Sequence, residues 1–309
     1  MEKKKKVFTG VVTMLVILFG LLRIAIFTGY HMVSPFLPEI ARNLDTTIVV
    51  IGLALSIRSA MGFLGPVWGG IIDLFGKKNS LLIALLTFAA SYAAIYFFPS
   101  FPCFVVALPI SYAATLTFDS AMYSYLSEMI PYEGRGRMTA VLEAAYALGF
   151  MIGSPVAGVL MENFGWAVPF VLMAAIAVVF ALILGFILPK EGEKRFGIDA
   201  SVTHELEEGT EEKGSYFHRL SLVLKDKNAL AALLTGTLLM GGNWFCQTMY
   251  GGWLEDNFDQ SLSEIGYISA AFGFAVFVGS LLCLILTDKL GKTKAMKLGA
   301  IVTICGGVI

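Results

Sequence analysis

Four charged residues lie inside long apolar stretches of the sequence: Arg23, Arg58, Asp119 and Glu143. Each stretch approaches the twenty or so residues that a helix needs to cross a bilayer. A charge in the hydrocarbon core is costly, so it needs an oppositely charged partner, a water-filled cavity or a function. Two cations and two anions balance, which favours pairing among them. Carboxylates placed in this way can also carry protons.

The depths of these residues in the membrane predict which of them meet. At about 1.5 Å per residue, Arg58 lies on the order of 22 Å, and Asp119 roughly 18 Å, from the same membrane face. Glu143 lies only about 9 Å from that face. We therefore predict that Asp119 pairs with Arg58, or in second place with Arg23, and that Glu143 is nearer the mouth of the cavity. The alternative for all four is a purely structural role in helix packing.

The composition is that of a membrane protein. Mean hydropathy is +0.77, with 57% hydrophobic and only 15% charged residues, which excludes an ordinary soluble domain. The four cysteines are scattered through apolar runs and three histidines are too few for a cluster, so neither a disulfide framework nor a metal site is expected. The sequence has no phosphate-binding loop for ATP and no converging catalytic groups. We predict no enzyme activity, no cofactor and no nucleic-acid partner.

Apolar runs divide the chain into nine predicted membrane spans, numbered here 1 to 9. Their approximate ranges are 7–38, 48–70, 80–98, 103–128, 138–160, 166–188, 229–253, 265–286 and 296 onward. Residues 1–188 form a predicted six-helix bundle, and 229–309 form an incomplete second bundle. Residues 189–228 are rich in Glu, Lys and Gly, which predicts a solvated linker, with a short interfacial helix at 217–224.

The basic residues predict the orientation. Of the 22 lysines and arginines, 19 fall in segments on one side of the predicted spans, and the exceptions are Arg23, Arg42 and Arg58. Because positive loops stay on the cytoplasmic side, we predict a multi-pass protein of the cell membrane. Its N-terminus and central linker are expected in the cytoplasm, and the bilayer is its first partner.

A ten-residue loop at 69–78 joins spans 2 and 3, and Gly76 in it is expected to adopt a positive φ. The loop resembles the pattern G-x-L-a-D-r-x-G-r-K of the major facilitator superfamily. A degenerate copy lies between spans 8 and 9, as expected of a duplicated six-helix unit. Leu74 and Leu284 depart from the pattern. The matching residues are Gly69, Asp73, Gly76, Lys77 and Lys78 in the first loop and Asp288, Gly291 and Lys292 in the second.

The resemblance implies an all-α integral membrane fold, a major-facilitator-type helical bundle with about nine of an expected twelve transmembrane helices. Helix 9 stops mid-span, so we expect a fragment of a longer protein or, in second place, a truncated gene product. In that family helices 1, 2, 4 and 5 line a central cavity, and the four intramembrane charges fall on those helices. The predicted cavity residues, in addition to those charges, are Tyr30, Tyr112, Tyr146, Asn243, Gln247 and Tyr250. His31 is interpreted as structural.

The resemblance of these two loops to the family pattern also implies a cytoplasmic gate, in which Asp73 and its basic neighbours hold the two halves of the protein together. Glu128, at the end of span 4, is predicted to pair with Lys77 or Arg135. The remaining gate residues are those of the two loops given above.

The function implied by the resemblance is secondary transport of a small organic solute by alternating access. Proton coupling through Asp119 is the favoured mechanism, with efflux favoured over uptake. Leu108 replaces the arginine of the family's helix-4 pattern, and residues 154–159 match the antiporter pattern only in part. The alternatives are an uptake symporter or uniporter of the same fold, a non-transporting membrane sensor or scaffold, and an inactive truncated product.

Overall fold

The computed structural model describes residues 10–64, 72, 74–130, 132–189 and 227–290, with short pieces at 194–195, 198–199, 225, 294, 297–299 and 301–302. Almost all of this is helical. The helices are α1 Gly10–His31, α2 Leu37–Asn43, α3 Ile48–Ala60, α4 Lys77–Phe97, α5 Phe101–Met129, α6 Tyr132–Phe164, α7 Val168–Ile187, α8 Lys227–Phe258 and α9 Leu262–Leu290. In the linker, β1 Lys194–Arg195 and β2 Ile198–Asp199 form a two-residue antiparallel pair.

The helices account for predicted spans 1 to 8. Within the described residues, seven helical stretches are long and apolar enough to cross a membrane, with α1 and α2 counted as one, and α3 is a shorter apolar helix. The chain is therefore an all-α membrane protein. Span 9 lies mostly outside the described residues, as does the short helix predicted at 217–224, so the count of nine stays a prediction.

Two predicted boundaries are wrong in ways that matter for the site. Residues 39–43, predicted as part of an outer loop, belong to α2, because Pro38 stands at the start of that helix, where its missing N–H costs nothing. Span 5, predicted to begin at Met138, begins at Tyr132 in α6. The Arg135 side chain donates hydrogen bonds to the carbonyls of Ser127 (2.9 Å) and Ile130 (3.3 Å) at the end of α5.

The first six-helix unit has a continuous apolar core. α4 packs on α5 and α7, and α1 packs on α6. Large apolar side chains remain exposed on α4 and α7, among them Leu86, Phe97, Leu182 and Phe186. Such an apolar surface suits contact with lipid, and the backbone N–H and C=O groups of a helix are hydrogen-bonded within the helix, as the hydrocarbon core requires. The prediction for Gly76 is confirmed: its φ is 74°, immediately before α4 begins.

Candidate functional site

Two glycines of α6 bring that helix against the backbone of α1. A Cβ added to Gly149 would come within 2.9 Å of the Ile24 carbonyl oxygen, and one added to Gly153 within 2.9 Å of Thr28 Cα. The Thr28 hydroxyl donates a 3.1 Å hydrogen bond to the Gly149 carbonyl. Small residues allow such close approach between membrane helices. As a result, Glu143, less than two turns before Gly149, lies beside α1.

Arg23, at the middle of α1, contacts two carboxylates. Its Nη1 lies 3.1 Å from Glu143 Oε1, and its Nε lies 3.4 Å from Asp119 Oδ1. Nη1 also donates to the Tyr123 hydroxyl at 2.8 Å, and that hydroxyl donates to Glu143 Oε1 at 2.9 Å. The Arg23 side chain is only 6% exposed, whereas that of Glu143 is 50% exposed. We call these four residues the Arg23 site.

Of the two predicted partners of Asp119, the structure has the second: Asp119 pairs with Arg23 and not with Arg58. Glu143 was predicted nearer the mouth but lies at the same level as Asp119. The error for Glu143 comes from the late start assigned to span 5. Counted from the first residue of α6, Glu143 is eleven residues along the helix, about 16 Å, while Asp119 is ten residues from the end of α5, about 15 Å.

Arg58 lies among aromatic rings. Its Cζ is 4.3 Å from the centroid of the Tyr30 ring and 5.9 Å from that of Tyr112, and these two rings stack at 5.3 Å. Its Nη1 lies 3.5 Å from the Tyr30 carbonyl oxygen. His31 is stacked on Trp244 of α8 at 6.0 Å, and Trp244 also meets the edge of Tyr30 at 5.6 Å. We call these five residues the Arg58 site.

The two arginine sites are joined by rings. Arg23 Cζ lies 5.2 Å from the Phe27 ring centroid and 5.8 Å from that of Tyr146. Phe27 and Tyr146 contact each other at 4.6 Å, and Tyr146 reaches His31 at 5.2 Å. Tyr146, predicted as a cavity residue, is therefore placed between the two sites.

The polar residues predicted on α8 lie elsewhere. Gln247 donates a 2.6 Å hydrogen bond to Asn243 on its own helix, and Asn243 is exposed. The Tyr250 hydroxyl is hydrogen-bonded to Ser269 of α9. Gln247 and Tyr250 line a separate crevice of about 250 Å³ between α8 and α9. The structure thus divides the predicted cavity set into two groups.

Besides Arg135, described above, three residues of the predicted cytoplasmic gate hold helix ends within the first unit. Lys77 forms an ion pair with Glu128, across the start of α4 and the end of α5. The Lys78 ammonium donates to the Gly185 carbonyl at 3.1 Å and to the Leu188 carbonyl. Cations near the last carbonyls of a helix are favourable. Gly69, Asp73, Gly291 and Lys292 lie outside the described residues, and so does the side chain of Asp288.

At the other end of the bundle, α8 and α9 contact the first unit. Arg42 of α2 forms an ion pair with Glu255 of α8, and a Cβ on Gly251 would overlap the carbonyl oxygen of Pro35. The backbone N–H of Ser263 donates to Glu162 at 2.8 Å. The early turns of α8, in contrast, are largely exposed.

Two features of the site were not predicted from the sequence: the contacts of Tyr123 with Arg23 and Glu143, and the stacking of His31 on Trp244. Tyr123 follows Asp119 at the i, i+4 spacing that puts two side chains on one helix face, and this spacing could have identified it. His31 was interpreted as structural from sequence, and no sequence signal placed it against Trp244, which lies more than two hundred residues further along the chain.

Comparison with known proteins agrees with this architecture. The model of the Major Facilitator Superfamily matches residues 19–309. The chain therefore belongs to this superfamily of membrane transporters, whose members are transporters and not enzymes.

Among similar proteins, the cis,cis-muconate transport protein of Acinetobacter baylyi is 25% identical over 285 residues, 88% of this chain and 65% of that protein. The class C tetracycline resistance protein of Escherichia coli is 30% identical over 54% of this chain and 42% of its own length. Multidrug resistance protein 2 of Bacillus subtilis is 22% identical over 88% of this chain and 66% of its own. The chain spans less than two thirds of the length of these relatives.

Proposed function

We propose that the protein is a secondary active transporter that couples movement of a small organic solute to movement of protons by alternating access. The observation that carries this proposal is the Arg23 site, in which two carboxylates share one buried arginine. With both carboxylates ionised, the site has one negative charge in excess. One proton removes that excess, so the site suits binding and release of a single proton.

Asp119 is the proposed proton carrier. Its carboxylate is 21% exposed and is held by Arg23 at 3.4 and 3.5 Å, longer than a strong charge-assisted hydrogen bond. When Asp119 is protonated, Arg23 keeps its partner Glu143 at 3.1 Å. Protonation of Asp119 therefore leaves no unpaired charge at this site, so the step avoids the free-energy cost of an uncompensated buried charge.

The contacts between the units support alternating access. With the N-terminus in the cytoplasm, as the basic residues predict, the contacts of Arg42 with Glu255 and of Glu162 with Ser263 lie on the outer side. Closure there corresponds to an inward-facing arrangement. In the opposite arrangement, the two loops that begin at Gly69 and Asp288 would meet on the cytoplasmic side, as the proposed gate.

Export is the favoured direction, supported by the two resistance proteins among the relatives. Uptake with a proton is the second candidate, because the muconate transport protein matches 88% of the chain. A non-transporting sensor or scaffold would use the same fold without moving protons.

The test is Asp119→Asn in proteoliposomes that contain a pH-sensitive dye. We expect the wild type to move protons when solute gradients are imposed, and Asp119→Asn to lose pH-driven accumulation while solute exchange stays measurable. Asp256→Asn, an exposed change near the end of α8, is the matched control and should behave as wild type. Wild-type pH dependence in Asp119→Asn would show that Asp119 is not the proton site. Proton movement absent from the wild type with every solute would favour the sensor.

A further inference from the structure

The two arginine sites divide the intramembrane charges unequally. Both carboxylates lie at Arg23, which leaves Arg58 with a full positive charge. Among the described residues, no carboxylate lies within 4.0 Å of the Arg58 guanidinium. Arg58 is nevertheless 3% exposed, as deeply buried as Arg23 at 5%.

The donors of Arg58 are also poorly used. Its Nε has no hydrogen-bond acceptor among the described residues, and its one acceptor, the Tyr30 carbonyl oxygen, lies at the long distance of 3.5 Å. The Nε2 atom of His31, in the same site, is also buried and has no hydrogen-bond partner among the described residues. Aromatic rings attract a cation but do not neutralise it. A buried guanidinium that lacks an anion is costly, so its retention needs a reason.

A cavity adjoins this guanidinium. It has a volume of about 470 Å³ and is lined by residues of α3 and α8, including Arg58, Ser59, Trp244 and Thr248. The hydroxyl of Ser59 donates to the carbonyl of Leu55, and that of Thr248 donates to the carbonyl of Trp244. Both hydroxyl protons are therefore engaged by the helix backbone. In this lining the guanidinium is the group that offers a bound anion a positive charge together with a donor, Nε, that has no acceptor among the described residues.

We propose that Arg58 binds the carboxylate of the transported solute, and that the solute is an organic acid with a planar apolar body. The guanidinium fork matches a carboxylate in geometry and charge. Trp244 lines the cavity and presents the ring against which the apolar body packs, and its ring is in turn in contact with Tyr30. The cavity is of the size that small-molecule sites usually have. This inference rests on the proposed function, since it names the class of solute that is carried.

The Arg23 site lies about 10 Å away along α1, because Tyr30 is seven residues after Arg23. A proton at Asp119 and a carboxylate at Arg58 therefore do not compete for space. A proton neutralises the excess charge of the Arg23 site, and a carboxylate neutralises that of the Arg58 site.

The experiment is calorimetric titration of the purified protein in neutral detergent, which needs no transport. The probes are benzoate and hexanoate, each compared with its neutral amide, and inorganic phosphate. We expect benzoate to bind about tenfold or more tightly than benzamide, and hexanoate, which lacks a planar body, to bind more weakly than benzoate. Arg58→Gln should abolish this preference, whereas Arg58→Lys, which keeps the charge without the fork, should retain part of it. Arg137→Gln, at an exposed arginine on α6, is the matched control and should bind as wild type.

Equal binding of each acid and its amide, or an unchanged preference in Arg58→Gln, would overturn the proposal. So would binding of phosphate alone, or of no probe. A second readout is the thermal stability of the ligand-free protein. Arg58→Gln should melt at the wild-type temperature or above, because it removes an uncompensated buried charge. A lower melting temperature would mean that Arg58 has an anionic structural partner, and the proposal would be wrong. Binding without proton-coupled transport would instead contradict only the proposed function.

Discussion

Arg23 and Arg58 are buried to a similar degree beside tyrosine rings, but they differ in whether a carboxylate lies near the guanidinium. Both are buried, at 5% and 3% exposure, and both lie near tyrosine rings. Arg23 lies within 4.0 Å of two carboxylates, and Arg58 within that distance of none in the described part of the chain. Balance over the whole bundle therefore does not mean balance at each site. In the proposed mechanism, one site accepts a proton and the other an anion.

The difference follows from helix geometry. On α1, Tyr30 lies seven residues after Arg23, and on α5, Tyr112 lies seven residues before Asp119. The ring contact of Tyr30 with Tyr112 and the ion pair of Arg23 with Asp119 show that the two helices run in opposite directions. Seven residues are about two turns, or roughly 10 Å. The same two helix faces thus form an ionic layer, made by Arg23 and Asp119, and about two turns further along an aromatic layer, made by Tyr30 and Tyr112.

The largest expected effect is that of Arg23→Gln. This change leaves Asp119 buried without a cation, and removal of one partner from a buried pair costs roughly 3–5 kcal/mol. We expect the lower end, because the Glu143 side chain is half exposed. Thermal unfolding of the purified protein should show a large loss, whereas Arg58→Gln should show none.

The double change Arg23→Gln with Asp119→Asn is the control for this comparison. It removes the stranded charge, so it should be more stable than Arg23→Gln alone. The exposed control Arg137→Gln should lose no more than about 0.5 kcal/mol. If Arg23→Gln and Arg58→Gln destabilise the protein equally, the contrast between the two sites is wrong.

Much of this fold could be predicted from the sequence, because membrane spans are defined by length and apolarity alone. The positive φ of Gly76 could also be predicted, since few other residues suit that turn. The choice of Arg23 over Arg58 as the partner of Asp119 could not, because depth along a helix does not show which neighbouring helix a side chain meets. The level of Glu143 could not either, since depth counted from loops depends on where a helix begins, and α6 begins six residues before Met138.

The aromatic layer was predictable only in part. Tyr30 and Tyr112 follow from helical spacing within single helices, but Trp244 comes to them from α8. Such a contact depends on how two units pack, for which a single sequence carries no local signal. For the same reason, spacing grouped Gln247 with Asn243 and Tyr250 on one face of α8 without showing that two of them line a different crevice.

An intermediate effect is expected for Gly149→Leu, which sharpens the comparison by disturbing one site only. A Cβ at Gly149 would already lie 2.9 Å from the Ile24 carbonyl oxygen and 3.0 Å from Phe27 Cβ. The larger side chain must push α6 away from α1, at a cost of about 1–3 kcal/mol. It should separate Glu143 from Arg23 and weaken proton coupling. Gly136→Leu, at an exposed position of the same helix where an added Cβ meets no atom within 4 Å, is the matched control.

The readouts for this pair are thermal unfolding and proton movement in proteoliposomes, together with benzoate titration for the Arg58 site. Gly149→Leu should lose stability and coupling while binding is largely kept. Loss of binding with coupling intact would contradict the assignment of the glycine contact to the Arg23 site.

The smallest expected effect is that of Tyr123→Phe, which removes one hydroxyl from the Arg23 site and leaves its ring in place over the guanidinium, 5.3 Å from Arg23 Cζ. The hydroxyl accepts from Arg23 at 2.8 Å and donates to Glu143 at 2.9 Å, so it holds these two charges in position. Its loss should cost about 0.5–1.5 kcal/mol, because the direct ion pair of Arg23 with Glu143 remains. Tyr96→Phe, an exposed tyrosine on α4, is the matched control and should not change stability. A loss as large as that of Arg23→Gln would mean that the hydroxyl, and not the ion pairs, holds the ionic layer together.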